Sequence, residues 1–344
     1  MRETHMSSYG SIAPRKIVAI LMTAAAALLP TSCGAAVPVA SAPPATPTTS
    51  LSPFAQQRAL ILGGGGPVGR AWEIGIIKGL ADAGIDLTQA DLVVGTSNGA
   101  ILGVQLRAGK TLESLYATAI APVTAPAGPS PAPAYDVAYA ADAVQPLLQL
   151  TSAAALTPEL RIEVGRRALG ATKAIGEDAQ IKSALSNLGD IREWPRAALK
   201  IAAGDVTDGT MRFFDSGQGV AIERVIAAAT ANPQSGKLPV SVADRRYMDG
   251  SVGGANLDVA GGYGAIVALL PPALLRPEIV RQQVEAARAR GEKIVSLEPD
   301  ADSLLAMGTD RFDTTRIKPT AEAALRQAAK IAVELRAFWM PTGR

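Results

Sequence analysis

The sequence predicts an α/β domain built on a parallel sheet. Three observations point there. Short apolar runs rich in Leu, Ile and Val stop abruptly at glycine. Longer runs between them carry apolar residues at helical spacing. The two kinds alternate, which is the pattern of βαβ units.

Composition is consistent with this class. Of 344 residues, 48% are hydrophobic and 19% charged, an ordinary globular balance with room for one large domain or two modest ones. Aromatic residues make up only 4%, so the core must come mainly from Ala, Val, Ile and Leu. A formal net charge of +2 gives no reason to expect a nucleic-acid partner.

Residues 1–32 stand apart from the fold. Arg15 and Lys16 precede an apolar run from Ile17 to Leu29, followed by the small residues Thr31, Ser32, Gly34 and Ala35. The run has the length of a signal-peptide core and is short for a membrane span. A buried N-terminal helix is the alternative. Cys33 is the single cysteine, so no intramolecular disulfide can form. With Gly34 behind it, Cys33 resembles the lipidated residue of a bacterial lipobox, although Pro30 stands where that motif usually carries leucine. Plain cleavage near Ala36 or Ala42 is the competing reading. Either way the chain is expected to be exported, secreted or held at a membrane surface through Cys33. Residues 33–57 are rich in Ala, Pro, Ser and Thr and read as an extended linker.

The folded domain is expected over 58–344. Leu60–Leu62 reads as a buried strand, Trp72–Ala83 as a helix stopped by Gly84, Leu92–Val94 as a second strand and Ala100–Ala108 as a helix. Ala121–Ala134 reads as a loop, and Ala138–Asn187 as Ala-rich and helical. Leu199–Ala203 and Met211–Phe214 read as strands joined by a turn at Thr207, Asp208 and Gly209. Ala221–Ala229 is a short helix, and Val240–Val242 and Tyr247–Met248 flank a turn. Ala265–Leu269 and Ile294–Leu297 are further strands around a helix from Pro277 to Ala289, and Ala321–Phe338 is a long amphipathic helix.

Three motifs carry chemistry. The first, Gly63-Gly64-Gly65-Gly66-Pro67-Val68-Gly69, joins a strand to a helix. Glycines leave backbone N–H groups unobstructed, and at a helix N-terminus such groups stabilise negative charge. Gly64, Gly66 and Gly69 also fit the dinucleotide fingerprint. The second, Gly95-Thr96-Ser97-Asn98-Gly99, again lies between strand and helix and has the form of a nucleophile elbow. There Ser97 projects from the strand end, Gly95 and Gly99 keep side chains out of the crossing backbones, and the Asn98 N–H faces the same space. The third is Asp249-Gly250-Ser251. Asp-Gly is common in ordinary turns, and Asp208-Gly209 is a rival that suits a hairpin.

Together, a glycine-rich loop after the first strand, a G-x-S-x-G elbow about thirty residues later and a late Asp-Gly resemble the three motifs of the patatin-like phospholipase family. The resemblance covers roughly Arg58 to Pro271. It implies a three-layer α/β/α domain with a mostly parallel central sheet, a Ser–Asp dyad without histidine, and lipid acyl hydrolase activity. Ser97 takes the nucleophile's place, Asp249 the base's, and Gly64, Gly65 and Gly66 that of the oxyanion loop. Ser251 stands where the family usually has glycine or alanine, and Val68 where it commonly has a basic residue.

Histidine usage agrees. The one histidine, His5, precedes the apolar run, so removal of the leader leaves none. A Ser-His-Asp triad then cannot be assembled, and another base must serve Ser97. Carboxylates are scattered without a His or Cys cluster, which argues against a metal site, and the chemistry requires no cofactor. The expected partner is a lipid or other acyl ester. The rival classes are a nucleotide-binding or non-catalytic α/β protein using the glycine loop as an anion cradle, and a related fold that binds lipid without turnover. A dinucleotide site wants an acidic residue closing the second strand, whereas Val94 leads into the serine elbow.

The leader reading predicts that the exported chain begins between Cys33 and Ala42. Mass spectrometry of the native N-terminus checks this; an exported chain retaining residues 1–32 would contradict it.

Overall fold

The structure, a computed structural model, describes residues 52–122, 157–171, 174–273 and 277–340. The leader, Cys33, most of the linker, the greater part of the 121–134 stretch and residues 138–156 of the Ala-rich region lie outside the described residues.

Eight strands form one sheet. Its parallel part runs in the order β3 (Leu199–Asp205), β2 (Leu92–Thr96), β1 (Arg58–Leu62), β7 (Ala265–Leu269) and β8 (Ile294–Leu297). The antiparallel strands are β4 (Met211–Phe214), β5 (Val240–Val242) and β6 (Arg245–Asp249). The fold is therefore α/β with a mostly parallel central sheet, as the alternation of elements predicts.

The central strands are apolar on both faces because both faces are covered. Leu60 and Leu62 of β1 pack with Val93, Ile201 and Val267 into the larger core. That side receives the helices α1 (Gly66–Asp82), α2 (Asn98–Arg107), α3 (Leu112–Ile120), α5 (Glu177–Leu188), α6 (Ile222–Ala229) and α9 (Ile317–Trp339). Ala59 and Ile61 point the other way and join Leu92, Val94, Ile266 and Ala268 beneath helix α7 (Pro277–Ala289). Helix α4 (Pro158–Leu169) is attached to α7 through a small cluster containing Val164, Val206, Met248 and Ile279.

Element boundaries depart from expectation in instructive places. Helix α1 begins at Gly66, six residues before the expected start, because Pro67 occupies the first turn, where its missing N–H costs nothing. The Ala-rich region is divided: its described part holds α4 and α5. Two short helices, α3 and α8 (Ala301–Met307), escape the periodicity reading. Both carry side-chain caps, Thr111 accepting from the Ser114 N–H and Asp300 from the Ser303 N–H, so their signal is the cap and not a long stripe. Among the described residues no helix is long and apolar enough to cross a membrane.

Strand β3 organises the site. Ile201 pairs with Gly95 of β2 and with Phe214 of β4, so those strands occupy opposite edges of β3. Ala203 pairs with Arg212 of β4 and with Asp249 of β6. Strand β6 therefore lies on the same edge as β2 and begins where β2 ends: Thr96 faces Ala202, and Asp249 faces Ala203. Two strand ends distant in sequence meet head-on along one edge.

Helices α1 and α9 are joined by a buried polar relay as well as by apolar packing. Trp72 is fully buried, and its Nε1–H donates to Gln327 Oε1 at 2.8 Å. Gln327 Nε2 donates to the Glu298 carbonyl at 2.7 Å. Trp72→Ala removes the largest buried side chain of α1 and leaves Gln327 Oε1 with the Ser303 hydroxyl as its remaining donor. The expected loss is about 3–5 kcal/mol, with Trp72→Phe losing less, as read from urea denaturation midpoints. A Trp72→Ala protein as stable as the parent would contradict this packing.

Candidate active site

Ser97 sits between the last residue of β2 and the first of α2, with φ 52° and ψ −124°. A non-glycine residue rarely adopts this backbone, and the strain holds Oγ clear of the strand end. Tight packing maintains the turn. A Cβ on Gly99 would lie 2.3 Å from the carbonyl oxygen of Gly63, so the start of α2 rests directly on the glycine-rich loop. Gly95 abuts the Ala100 backbone, Gly69 abuts Pro271, and Gly64 faces both Ser97 and Ser251.

Gly65, Gly66, Ser97, Asn98, Asp249 and Ser251 line one small cavity of about 20 Å³. Among the described residues, the N–H groups of Gly65, Gly66 and Asn98 have no hydrogen-bond acceptor. They lie at the N-termini of α1 and α2, where helix dipoles add partial positive charge. Of the expected oxyanion residues, Gly65, Gly66 and Asn98 line the cavity with Ser97, whereas Gly64 faces Ser97 and Ser251 without lining it.

Asp249 closes β6 and caps a 3-10 turn over Gly250–Gly253; it is a strand residue, not simply a turn residue. Its carboxylate is fully buried. Ser97 Oγ donates to Asp249 Oδ2 at 2.8 Å, across 152 residues of sequence. The Ser251 N–H donates to the other oxygen, Oδ1, at 2.8 Å. Gly250 permits the exit from the strand: a Cβ there would lie 2.3 Å from the Ala202 carbonyl oxygen. Burial pushes the Asp249 carboxyl above the usual carboxylate range, against the hydrogen bonds from Ser251 and Ser97 and the charge of Lys237.

The rival Asp208 is placed otherwise. It occupies the β3–β4 turn, accepts from Thr210 N and Oγ1, and pairs with Arg212 and Arg245. Those partners hold its carboxyl down at about 2. It has no hydrogen bond with Ser97 and does not line the Ser97 cavity.

Three neighbours of the dyad are not evident in the sequence. Lys237 lines the cavity and donates from Nζ to the Thr230 carbonyl at 3.1 Å; burial lowers its ammonium, and the charge of Asp249 opposes that shift. Asn256 Nδ2 donates to Thr96 Oγ1 and to the Gly250 carbonyl. Arg311, in the segment after α8, covers the glycine loop: its carbonyl accepts from the Val68 N–H at 3.3 Å, and its guanidinium donates to Gln234 Oε1 at 2.9 Å and the Ala273 carbonyl at 3.2 Å. None of these belongs to a recognisable motif, and each reaches the site through tertiary contact. Among the described residues no His, Cys, Asp or Glu group could hold a metal ion.

No family model matches the chain, and no curated protein matches it. Among solved structures, it is similar to VipD from Legionella pneumophila, with 11% identity and a TM-score of 0.40 over 82% of this chain and 67% of that one. It is also similar to the type III effector protein ExoU, with 18% identity and a TM-score of 0.30 over 80% of this chain. The match spans 54% of the ExoU chain, about half its length.

Burial of Asp249 gives a stability prediction. Because its folded pKa is raised above the ordinary 3.8, the favourable contribution is full below that value and is lost as pH rises through the folded pKa. Asp249→Asn, which mimics the protonated form, is therefore expected to raise Tm at neutral pH. The gain should shrink to nothing as pH falls below the ordinary value. A Tm difference independent of pH would contradict a desolvated carboxylate.

Proposed function

We propose that this protein is a serine acyl hydrolase of the patatin type, cleaving carboxylic esters of lipids through a Ser97–Asp249 dyad. The observation that carries this reading is the 2.8 Å hydrogen bond from Ser97 Oγ, held on a strained turn, to a fully buried carboxylate. A serine hydroxyl is a poor nucleophile at neutral pH unless a base takes its proton during attack. Asp249 Oδ2 is within transfer distance, and its raised proton affinity brings it closer to the range in which a base works at neutral pH.

The steps follow from this placement. Ser97 Oγ attacks the ester carbonyl carbon while its proton passes to Asp249. The tetrahedral oxyanion is stabilised by the N–H groups of Gly65, Gly66 and Asn98. Collapse breaks the bond to the alcohol oxygen, which leaves with the proton from Asp249, and the acyl group remains on Ser97. Water then attacks the acyl-enzyme, giving its proton to Asp249, and release of the acid returns the proton to Ser97 Oγ.

A cavity of about 20 Å³ has room for roughly one water molecule, so an acyl substrate is admitted only when the Arg311–Phe312 segment moves aside. That segment joins a helix, α8, whose Leu304 and Leu305 face solvent, and Phe312 itself is partly exposed. Apolar groups beside the covered site suit a lipid substrate better than a polar ester. The reading as a dinucleotide cradle lacks support: the glycine loop meets Ser97 and Ser251, and β2 ends without an acidic residue.

A fluorophosphonate probe is expected to label Ser97, and Ser97→Ala to lower p-nitrophenyl ester hydrolysis by about a million-fold, to background. Asp249→Asn should lower turnover by roughly a hundred-fold or more, while Asp208→Asn leaves it nearly unchanged. Peptide mapping after labelling and initial rates on purified variants measure both. Retained activity in Ser97→Ala, or an inactive Asp208→Asn beside an active Asp249→Asn, would overturn the assignment.

A further inference from the structure

Strands β2 and β6 meet end to end on one edge of β3, and no ladder hydrogen bonds run between them. In a sheet, neighbouring strands are held in register by such bonds. Here β2 is registered on β3 and β1, and β6 on β3 and β5, so no ladder fixes one strand end directly against the other. Besides the Ser97–Asp249 hydrogen bond itself, the Asn256 side chain bridges the junction. Asn256 Nδ2 donates to Thr96 Oγ1 at 3.0 Å and to the Gly250 carbonyl at 3.1 Å. Thr96 immediately precedes Ser97, and Gly250 immediately follows Asp249.

We infer that Asn256 is a positioning residue for this dyad, its amide clamping the serine elbow to the Asp-Gly turn so that Ser97 Oγ stays in line with Asp249 Oδ2. This rests on the hydrolase reading above and adds a residue that the three motifs do not contain.

Several features fit a dedicated clamp. Asn256 has φ 51°, a left-handed conformation that asparagine tolerates better than most residues. It is 6% exposed, Thr96 is 1% exposed and Gly250 is buried, so the donor and both acceptors are shielded from bulk water. The amide offers two N–H donors, and with the Gly254 carbonyl at 3.3 Å as a third acceptor both are used. An aspartate of the same shape has no such donors at neutral pH. The segment carrying Asn256 is fixed in turn by Gln283 of α7, which donates to the Gly253 carbonyl at 3.0 Å and accepts from the Ala255 N–H at 2.8 Å. The clamp is thus anchored to a helix, and only its amide tip reaches the junction.

The consequence is catalytic because proton transfer depends steeply on donor–acceptor geometry; a displacement of about 1 Å can cost on the order of a hundred-fold in rate. The test uses the full chain and two kinds of substitution. Asn256→Gly keeps the left-handed backbone and removes the amide. Thr96→Val keeps the shape of the threonine and removes one acceptor, providing a second variant should Asn256→Gly not fold. The expected result for Asn256→Gly is a fall in kcat of about ten- to a hundred-fold with KM within about twofold, and an equal slowing of fluorophosphonate labelling at Ser97. Thr96→Val is expected to fall several-fold by the same measures.

A double-mutant cycle separates positioning from mere stability. If Asn256 acts through the dyad, adding Asp249→Asn to Asn256→Gly costs much less than Asp249→Asn costs in the parent, because the dyad is already uncoupled. Additive effects, or parental kcat in folded Asn256→Gly, would overturn the inference; if only Thr96→Val folds, parental kcat in it would do so. Failure of the hydrolase reading looks different: Ser97 goes unlabelled in the parent protein and no ester is cleaved.

Discussion

Strand β3 offers a single edge to two partners: β2 pairs along it as far as Ala202, and β6 takes over at Ala203. Each strand must leave the sheet where the other begins, and both exits are sharp. Ser97 turns with positive φ into α2, and Asp249 passes through Gly250 into a 3-10 turn. The two exits place a hydroxyl and a carboxylate side by side, and the 2.8 Å contact between them is a product of strand registry. The glycine-rich loop joins the same junction because Gly99 lets α2 start directly on Gly63. Ser97, Asp249 and the unobstructed N–H groups therefore belong to one packing arrangement at the C-terminal ends of β1 and β2, where open α/β sheets present their ligand sites.

Electrostatics set the second requirement. A fully buried carboxylate is unfavourable unless hydrogen bonds and opposite charge compensate it. Ser251, Ser97 and Lys237 supply part of that compensation to Asp249, and burial still dominates. The imbalance costs stability and raises the basicity of Asp249. Asp208 shows the opposite arrangement: half-buried, bonded to Thr210 and paired with two arginines, it is held at about 2 and is a weak base. Two Asp-Gly pairs of the same composition are thus separated by burial and by partners.

The cover over the site depends on ordinary loop contacts rather than on the core. Arg311 ties it to Val68, Gln234 and Ala273, each through a hydrogen bond of 2.9 Å or longer. Contacts of this kind are modest in net strength beside the apolar core under α1 and α9. Ser97 and Asp249 lie at strand ends and helix starts, while Arg311 and Phe312 reach the cavity from a loop.

The sequence by itself determined the local elements and the chemical inventory. Apolar runs stopped by glycine marked β1 and β2, helical spacing marked α1, α7 and α9, and the G-x-S-x-G pentad marked the elbow, because each depends on residues close together in the chain. It also limited the base, since the one histidine lies ahead of an apolar leader-like run. It was less informative where the signal was a cap and not a stripe, as in α3 and α8. The motif resemblance favoured Asp249 over Asp208, and the tertiary structure supplies the physical reason that Asp249 meets Ser97. Asp208 and Asp249 each precede glycine, and the pairing of β6 with the β2 edge of β3 brings Asp249 to Ser97. It also decided the roles open to Asn256, Lys237 and Arg311, which reach the site from separate loops. Registry between strands and contacts across the fold have no local signature, because they arise from how whole elements pack and not from the residues beside them in the chain.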